Sequence, residues 1–481
     1  MIAWFSRRCA VTDSILDEID SVDLGDGRLN ERLKVIVESF SQKPNMSIPA
    51  ACGERAKMEA TYRFFDNPKV TLERILPSHY KNSVERIKDL KIALLVQDTT
   101  ELDITRPHDQ VEDMGPVDNG ARFGFFFHPL MAFDTSGVPH GMVWSKCWTR
   151  AQAIEGEVKD KDRRKKLPIE KKESVRWIEC VREARKVAEQ CPDTLCVCIG
   201  DSESDIFAVF AEPLNTTNGQ MHLIVRGAYD RALADGTAKV LETVRSTPVL
   251  YEQHIEIRRR ESLTSAPKSP RKKSRESRTA LVNARATSVT INPGSGFAPV
   301  TLNVVLVEEP NPENVDVPIQ WLLLTTLPID TLQAVRQVVE YYCHRWGIEV
   351  YFKTLKSGCR IEKRYFQKYD RLRNSLAIYS LIAWRILYMC RLGRECPDLD
   401  CEVVFEPCEW KAVYMTVKNT IPSEVPKLNE MIRLVASLGG YVIRPKTNPG
   451  IQTLWFGMQR VQDLALAWNK FGPEAQHKKK F

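Results

Sequence analysis

The sequence predicts a mixed α/β protein with helical regions at both ends, and three observations support this fold class. Residues 12 to 90 carry short segments with a 3.6-residue apolar period, which is typical of amphipathic helices. From residue 91 to about residue 228, apolar runs that resemble buried strands alternate with helical segments, as in a sheet covered by helices. Residues 370 to 480 again have a mostly helical pattern.

The individual elements can be placed in chain order. KIALLVQDTT predicts a buried strand, and RFGFFFHPLMAFDTSG with VPHGMVWSKCWTR predicts two strands joined by a Thr-Ser-Gly turn. A charged helix at about 170 to 190 precedes the strand TLCVCIG, and a helix that begins near SESDIFAVFAE precedes the strand HLIVR. The runs PVLYEQHIEI, ATSVTIN, VTLNVVLVEE and IQWLLLTT predict a β-rich insertion. A long helix from about 331 to 356 follows, ended by Ser357 and Gly358.

These changes of pattern divide the chain into five predicted segments. For 481 residues, at roughly 150 residues per domain, about three folding units are expected. The segments are a helical domain at 1–75, the first part of an α/β core at 76–228, a β-strand insertion with a basic loop at 229–326, the second part of the core with the long helix at 327–370, and a helical C-terminal region at 371–481.

Composition and motif content exclude several classes of protein. Hydrophobic residues make up 43% and charged residues 27% of the chain, close to ordinary globular usage, so the chain is neither wholly disordered nor fibrous. No apolar run approaches the roughly 18 residues that a spanning helix needs, and the N-terminus lacks a signal-peptide pattern. We therefore expect a cytoplasmic protein without a membrane partner. The motifs of P-loop NTPases, dinucleotide-binding dehydrogenases, GxSxG hydrolases and HExxH metalloproteases do not occur in the sequence.

The cysteines do not indicate a metal site or a disulfide framework. There are 13 of them, scattered along the chain without a CxxC pair, and a reducing cytosol requires no pairing. Cys196 and Cys198, the tightest pair, are alternate residues of one apolar run. This spacing favours packing in the core.

Basic residues cluster in one segment of the insertion. Between Arg258 and Arg285 there are ten basic and two acidic residues, in a chain whose whole net charge is +7. One interpretation is a solvated loop, since charged runs with Ser and Pro are often disordered. The other is a DNA contact, since clustered Lys and Arg gain affinity by counterion release. On the second interpretation, Arg271, Lys272 and Lys273 are candidate DNA-binding residues.

Two aspartates directly follow predicted buried strands. Asp98 comes after the run IALLVQ, and Asp201 follows CVCIG in the same way. Because ligands of α/β sheets bind at the carboxyl ends of the strands, both side chains are expected at one sheet edge. Each aspartate alone could equally be a turn or helix cap.

The predicted long helix places four polar residues on one face. At 100° per residue, Tyr342, Arg345, Glu349 and Lys356 fall within an arc of about 60°. A surface helix with ordinary ion pairs is the alternative in a segment this charged. If Glu349 instead joins the two strand-end aspartates, three carboxylates offer the hard oxygen ligands that Mg²⁺ prefers. Two such ions would suit phosphodiester chemistry.

Three motifs together carry a resemblance to a known family. They are QDTT at residues 97–100, GDSESDIF at 200–207, and the pattern Y-x2-R-x3-E-x6-K from Tyr342 to Lys356. In this combination and order they resemble the bacterial DDE cut-and-paste transposases of the insertion-sequence-four type, which carry a YREK signature. Within that family the resemblance is greatest to the transposon-five branch. LGDGRLNERL, YRFFDNP, IQWLLLTT and LGGY have counterparts there in the same order.

The resemblance implies a ribonuclease H-like catalytic core with a β-rich insertion, flanked by an N-terminal helical domain that binds DNA ends and a C-terminal helical dimerisation region. It implies a catalytic triad of Asp98, Asp201 and Glu349 that holds two Mg²⁺ ions, for which Mn²⁺ substitutes. Members of the family nick one strand with water, form a hairpin through the freed 3′-hydroxyl, hydrolyse the hairpin and transfer the strand. The implied partners are double-stranded DNA, at the inverted repeats of the transposon ends and at the target, and a second copy of the chain in a synaptic homodimer. The implied location is the bacterial cytoplasm, at the nucleoid.

The resemblance also assigns DNA-contact residues around the triad. They are Tyr342, Arg345, Lys356, Arg226, Trp321 and Trp346. For Trp321, a place in the core beside Leu323 is the alternative, because strand alternation could turn its side chain inward. Ser202 and Ala228 stand where the relatives have basic residues, so the grip on DNA is expected to differ there.

Two other functions stay open on the sequence. A structure-selective nuclease on the same core would keep the triad without needing Tyr342 and the tryptophans. A regulator that occupies transposon ends without cutting them is a different class, and the intact triad and the N-terminal domain argue against it. Short inverted repeats around the coding region would favour the transposase.

Overall fold

The computed structural model describes residues 14–106, 108, 110–118, 121–151, 167–257, 276–292, 297–310, 318–445 and 447–473. The chain divides into two compact units. The first unit comprises Met1–Ala93, Thr99–Lys159 and Trp346–Phe481, and the second comprises Leu94–Asp98 and Asp160–Arg345.

The described residues form both α-helices and β-strands. The α-helices are α1 (Gly27–Gln42), α2 (Ile48–Cys52), α3 (Arg55–Asp66), α4 (Leu72–Lys88), α5 (Val175–Gln190), α6 (Phe207–Phe210), α7 (Val240–Arg245), α8 (Leu332–Cys343), α9 (Trp346–Lys353), α10 (Tyr369–Glu395), α11 (Pro407–Lys418), α12 (Leu428–Leu438) and α13 (Ile451–Phe471). The strands are β1 (Ile92–Gln97), β2 (Thr100–Asp103), β3 (Gly115–Pro116), β4 (Phe123–Phe133), β5 (Pro139–Trp148), β6 (Leu195–Gly200), β7 (Gln220–Arg226), β8 (Tyr251–Ile257), β9 (Arg278–Ile291), β10 (Val300–Glu308) and β11 (Gln320–Thr325).

Short polar residues begin the N-terminal helices of the first unit. The Asp26 carboxylate accepts the N–H of Arg28 at 2.9 Å at the start of α1, and Ser47 caps α2 in the same way. Gly53 follows α2 with a φ of 71°, a left-handed conformation that a residue without Cβ adopts freely. The predicted run of short helices over residues 12 to 90 is confirmed for the described residues.

The sheet of the first unit is built on β4. This strand pairs antiparallel with β2, β3 and β5, and all of it except its first residue is buried. Between β4 and β5 the chain turns at Asp134, whose carboxylate accepts the N–H groups of Ser136 and Val138, each at 2.9 Å. The hairpin that the sequence predicts is therefore confirmed.

α10 is the central helix of the first unit. Its Trp384 indole donates a hydrogen bond to the carbonyl of Pro139 at 3.0 Å, and its Tyr379 ring stacks on Phe40 with centroids 5.2 Å apart. Among the described helices, α10 is long and apolar enough to cross a membrane by length and composition. However, 89% of its apolar window is buried inside the protein, as in the core helix of a globular domain.

The second unit contains a sheet in which the strand order is β1-β6-β7-β11-β10-β9-β8. β6 and β7 are parallel, and β11 is antiparallel to β7 with Leu323 opposite Arg226. The strands from β11 to β8 continue the sheet in antiparallel register. Cys196 and Cys198 on β6 are buried, so the prediction that they pack in the core is confirmed.

Two short helices of the second unit differ from the prediction. The helix expected from SESDIFAVFAE is only a 3₁₀ turn at Ser202–Ser204 and the single turn of α6, because Asp205 between them leaves helical geometry and binds another loop. The sequence pattern does not predict α7, which lies within the β-rich insertion. The four predicted strands of the insertion correspond to β8, β9, β10 and β11.

The long helix predicted over residues 331 to 356 is interrupted, so the prediction of one continuous helix is wrong. Between α8 and α9, the N–H groups of His344 and Arg345 bond to carbonyls three residues back, at 3.2 and 3.1 Å. After α9, Thr354–Gly358 forms a π turn. Bonds to the third preceding residue wind the backbone more tightly than an α-helix. The rotation of 100° per residue that underlies the predicted four-residue face therefore does not hold through this segment.

The DNA-contact candidates of the basic segment, Arg271, Lys272 and Lys273, lie outside the described residues. Two other basic residues of the segment are described and have structural roles. Arg278 forms a bidentate ion pair with the buried Glu309, and Arg285 donates to a backbone carbonyl.

Candidate active site

Three neighbouring strands of the second unit carry polar residues where they end. Asp98 follows β1, Asp201 follows β6, and Arg226 is the last residue of β7. Because β6 and β7 are parallel, Asp201 and Arg226 lie at the same edge of the sheet. The sequence correctly places Asp98 and Asp201 directly after buried strands.

Arg345 binds the first of the aspartates. Its Nη1 lies 3.3 Å from Oδ2 of Asp98, and the two side chains are only 10% and 16% exposed. Low exposure reduces the screening by solvent that weakens surface ion pairs. The signature arginine thus holds the carboxylate at the end of β1.

Tyr342 lies in the same cluster, and its hydroxyl is buried. By strict geometry this hydroxyl completes no hydrogen bond among the described residues, but the side chain of Arg226 is close enough to interact with it. Burial raises the pKa of Tyr342 above its ordinary value of 10.0, while the nearby guanidinium groups of Arg345 and Arg226 act to lower it and the charge of Asp201 raises it. The guanidinium of Arg345 lies 5.9 Å from the centroid of the Tyr342 ring, so the tyrosine is grouped with the arginine that binds Asp98.

Trp321, on β11, packs against Tyr342, on α8. Their ring centroids are 5.8 Å apart with planes at 60°, an edge-to-face contact. Trp321 is half-buried, whereas Leu323, on the same face of β11, is fully buried. The ring is therefore packed on one side and partly exposed to solvent, which differs from a wholly buried core residue.

Asp201 also acts as a cap, the alternative that the sequence leaves open. Its Oδ1 accepts the N–H of Glu203 at 2.8 Å and so begins the 3₁₀ turn. An ionised carboxylate has about four lone-pair sites. Capping by one oxygen is therefore compatible with binding a second group.

The remaining signature residues belong to the first unit. Glu349 is half-buried on α9, and Trp346 at the start of that helix is exposed. Lys356 lies in the π turn and contacts Glu362 at 3.5 Å, and Glu362 also accepts the N–H of Asp103 at 3.1 Å. Segments of π-helix are frequent at functional sites. The sequence pattern does not single out Glu362, which pairs with the signature lysine.

The donor chemistry at the strand ends fits a divalent metal ion. Asp98 and Asp201 supply the hard carboxylate oxygens that Mg²⁺ prefers, and they follow strands that are neighbours in the sheet. Within the part of the chain that the structure describes, His, Cys, Asp and Glu side chains form no group of three that could hold a metal ion. Metal binding by the triad of Asp98, Asp201 and Glu349 therefore stays a prediction.

Asp205 is a further residue of the site that the sequence analysis does not identify. It is the second aspartate of GDSESD, four residues after Asp201, and it is buried. Its carboxylate accepts the N–H groups of Ala228 and Tyr229, which follow Arg226 in the chain. The signal that could have identified it is its place inside the motif itself.

Three families of transposase domains match this chain. The family described as transposase DNA-binding matches residues 13–70, the transposase DDE domain matches residues 178–385, and the transposase Tn5 dimerisation domain matches residues 381–467. Among solved structures, a cryo-EM structure of the piggyBac transposase synaptic complex with hairpin DNA aligns with 99% of this chain and 84% of that chain, at 9% sequence identity and a TM-score of 0.35. A likeness this distant carries no argument about this chain.

The DDE match contains Asp201 and Glu349, and the described residues within its range include the strands β6 to β11 together with helices. Together these findings define a DDE transposase, a DNA-binding enzyme of DNA transposition. Its DNA-binding, DDE and dimerisation domains are of the type found in the Tn5 transposase, to which the chain is therefore related. DNA and a second copy of the chain are accordingly its partners, and DDE transposase domains generally use divalent metals such as Mg²⁺.

Proposed function

We propose that the protein is a cut-and-paste transposase of the insertion-sequence-four type, which excises an insertion sequence by hydrolysis, hairpin formation and strand transfer. The observation that carries this proposal is the cluster at the strand ends of the second unit. Carboxylates at Asp98 and Asp201, cations at Arg226 and Arg345, and the buried Tyr342 hydroxyl occur together there. Phosphodiester chemistry uses these three kinds of group.

The carboxylates would hold the divalent metals. Asp98, Asp201 and Glu349 would supply the oxygen ligands, and two bound ions would activate the attacking oxygen and stabilise the leaving oxygen. The protein's own contribution begins with Arg345, which orients Asp98 through an ion pair at 3.3 Å. A carboxylate held in this way needs little reorganisation when a ligand binds.

The cations and the tyrosine would grip the scissile phosphate. Arg226 and Arg345 both lie near Tyr342, and guanidinium groups bind phosphates through several N–H donors in a fixed geometry. Apart from its interaction with Arg226, the Tyr342 hydroxyl completes no hydrogen bond among the described residues, so it could donate a hydrogen bond to a phosphate oxygen.

The test uses purified protein, Mg²⁺ and DNA carrying the inverted repeats of its own element. We expect nicked and then hairpin products on a denaturing gel for the wild type, and neither product for Asp201→Asn. The matched control is Asp235→Asn in the same unit, because Asp235 is exposed and caps a turn through Thr237. This control should cut at the wild-type rate.

Other outcomes of the same experiment identify the alternative functions. Cleavage of branched or looped DNA without preference for the element ends would indicate a structure-selective nuclease. Binding of the ends with no cleavage in Mg²⁺ or Mn²⁺ would indicate a regulator. Equal activity of Asp201→Asn and the wild type would remove Asp201 from the chemistry.

A further inference from the structure

The loop that follows β7 is held rigidly at its backbone. The buried Asp205 carboxylate accepts the N–H of Ala228 at 2.7 Å and of Tyr229 at 3.1 Å through Oδ2. Its Oδ1 accepts Nε of Arg231 at 3.1 Å, and Nη2 of Arg231 donates to the Asp205 carbonyl at 2.9 Å. Gly227 donates to the carbonyl of Leu322 at 2.6 Å. A single buried carboxylate thus fixes the conformation of several consecutive residues.

Within this fixed loop the side chain of Tyr229 points into solvent. Tyr229 is 65% exposed. In contrast, Gly227 and Ala228 before it and Arg231 after it are each held by hydrogen bonds. The guanidinium of Arg231 lies 5.8 Å from the ring centroid, and its charge is already engaged by Asp205. An exposed aromatic ring on a rigid backbone loses little conformational entropy when it binds a partner. The loop therefore presents a preformed aromatic surface.

The position of this ring decides the kind of partner it would meet. Tyr229 is three residues after Arg226, which ends β7 at the same edge of the sheet as Asp201. A DNA strand whose phosphates contact Arg226 would bring its bases within reach of the next few residues. Arg231, the cation nearest to this ring, is already paired with Asp205. The exposed ring of Tyr229 is therefore the group on this loop that could contact a base.

We propose that Tyr229 is a base-stacking residue that receives an unstacked nucleobase of the DNA strand at the active site. The inference rests on the proposed transposase function and adds a further DNA-binding residue to it. Hairpin formation requires the duplex to open at the cut, and an extruded base costs a few kcal/mol unless a ring receives it. Stacking on an aromatic side chain tolerates any base, because every base has a π face.

The test compares Tyr229→Phe with Tyr229→Leu, which both lack the hydroxyl and differ in the aromatic ring. The probe is element-end DNA, nicked at the cleavage site, with 2-aminopurine at one of the two positions beside the nick or, as a control, at an internal position. For wild type and Tyr229→Phe we expect quenched 2-aminopurine emission beside the nick. For Tyr229→Leu the emission should recover, and the Kd for the nicked end should rise by about 5- to 150-fold, the loss of one stacked base.

Several results would overturn the inference. One is Tyr229→Leu with the wild-type Kd and quenching, and another is Tyr229→Phe weakened as much as Tyr229→Leu, which would assign the effect to the hydroxyl. Because the side chain is exposed, melting curves of both variants should match the wild type, and a lowered melting temperature would indicate a structural role. If the wild type fails to bind element ends at all, the proposed function itself is wrong. The results for the Tyr229 variants bear only on base stacking and do not test the proposed function.

Discussion

A buried ion pair in the first unit allows a quantitative prediction. Glu18, within the region that the DNA-binding family matches, is fully buried and accepts two hydrogen bonds from Arg86, at 2.7 and 3.3 Å. His79 accepts the N–H of Met142 at Nε2, so its Nδ1 carries the proton and donates to Glu18. We predict that Glu18→Gln destabilises this network strongly, since it leaves the Arg86 guanidinium without its counter-charge.

The magnitude follows from the pKa of Glu18. Burial acts to raise this pKa, but the interactions of Glu18 with His79 and Arg86 outweigh burial and lower the pKa from 4.5 to about 2. A depression of that size corresponds to roughly 3 kcal/mol of stability at neutral pH, in line with about 3 to 5 kcal/mol for removing one partner of a buried pair. The exposed Glu85, which pairs with Lys88 on α4, is the matched control. Glu85→Gln should cost at most about 1 kcal/mol.

The pH dependence gives the sign of the effect. Because the pKa of Glu18 is lower in the folded than in the unfolded chain, its stabilisation is present above pH 4.5 and is lost as the pH falls toward 2. Burial also lowers the pKa of His79 below 6.5, so acidification below 6.5 weakens the fold through this residue as well. In Glu18→Gln the loss below pH 4.5 should disappear, and the difference from wild type should shrink toward zero near pH 2.

Hydrogen exchange of peptides that cover α4 measures the opening of this network directly, without requiring the whole chain to unfold in one step. At neutral pH, Glu18→Gln should exchange about 100-fold faster than wild type, the equivalent of about 3 kcal/mol. Glu85→Gln should exchange at nearly the wild-type rate. If the two variants exchange alike, the buried pair of Glu18 and Arg86 contributes no more stability than the surface pair of Glu85 and Lys88.

Three further predictions concern the active site and its interaction with DNA. Alanine at any one triad carboxylate should abolish cleavage of the element ends, because each carboxylate would be a metal ligand. A mobility-shift assay should show nearly unchanged DNA binding. If a variant nicks DNA at close to the wild-type rate, the residue that it lacks is not a metal ligand. Neutralising Arg271, Lys272 and Lys273 should weaken DNA binding and lower the slope of log affinity against log salt by about 0.9 for each DNA phosphate that the variant no longer neutralises; an unchanged slope would return the segment to the solvated-loop interpretation. Trp321→Ala should leave nicking near normal but slow hairpin formation, since about 1 to 3 kcal/mol of stacking is removed; equal slowing of both steps with a lowered melting temperature would mean that Trp321 only supports the core.

Much of the fold could be predicted because its elements are defined by local pattern. The buried runs at β1 and β6 and the β4–β5 hairpin follow from consecutive apolar residues and a turn. The place of Asp98 and Asp201 at strand ends follows from the same pattern. Contacts between distant segments could not be predicted in this way. Nothing near Glu18 in the sequence indicates that His79 and Arg86 bury it, and nothing near Asp205 indicates the loop that it holds.

The interruption of the long helix is the clearest difference between sequence and structure, and it has a consequence for the site. A helical wheel assumes the same rotation of about 100° at every residue. Here, however, the N–H of Arg345 bonds to the carbonyl of Tyr342, three residues back, at 3.1 Å. In 3₁₀ geometry, side chains three residues apart eclipse each other. The guanidinium of Arg345 accordingly lies over the Tyr342 ring, 5.9 Å from its centroid, while it pairs with Asp98. The tightened turn thus brings Tyr342 and Arg345 together beside the carboxylate of Asp98, within the second unit. A continuous α-helix would separate the two side chains by about 300° of rotation, so they would not eclipse each other in this way.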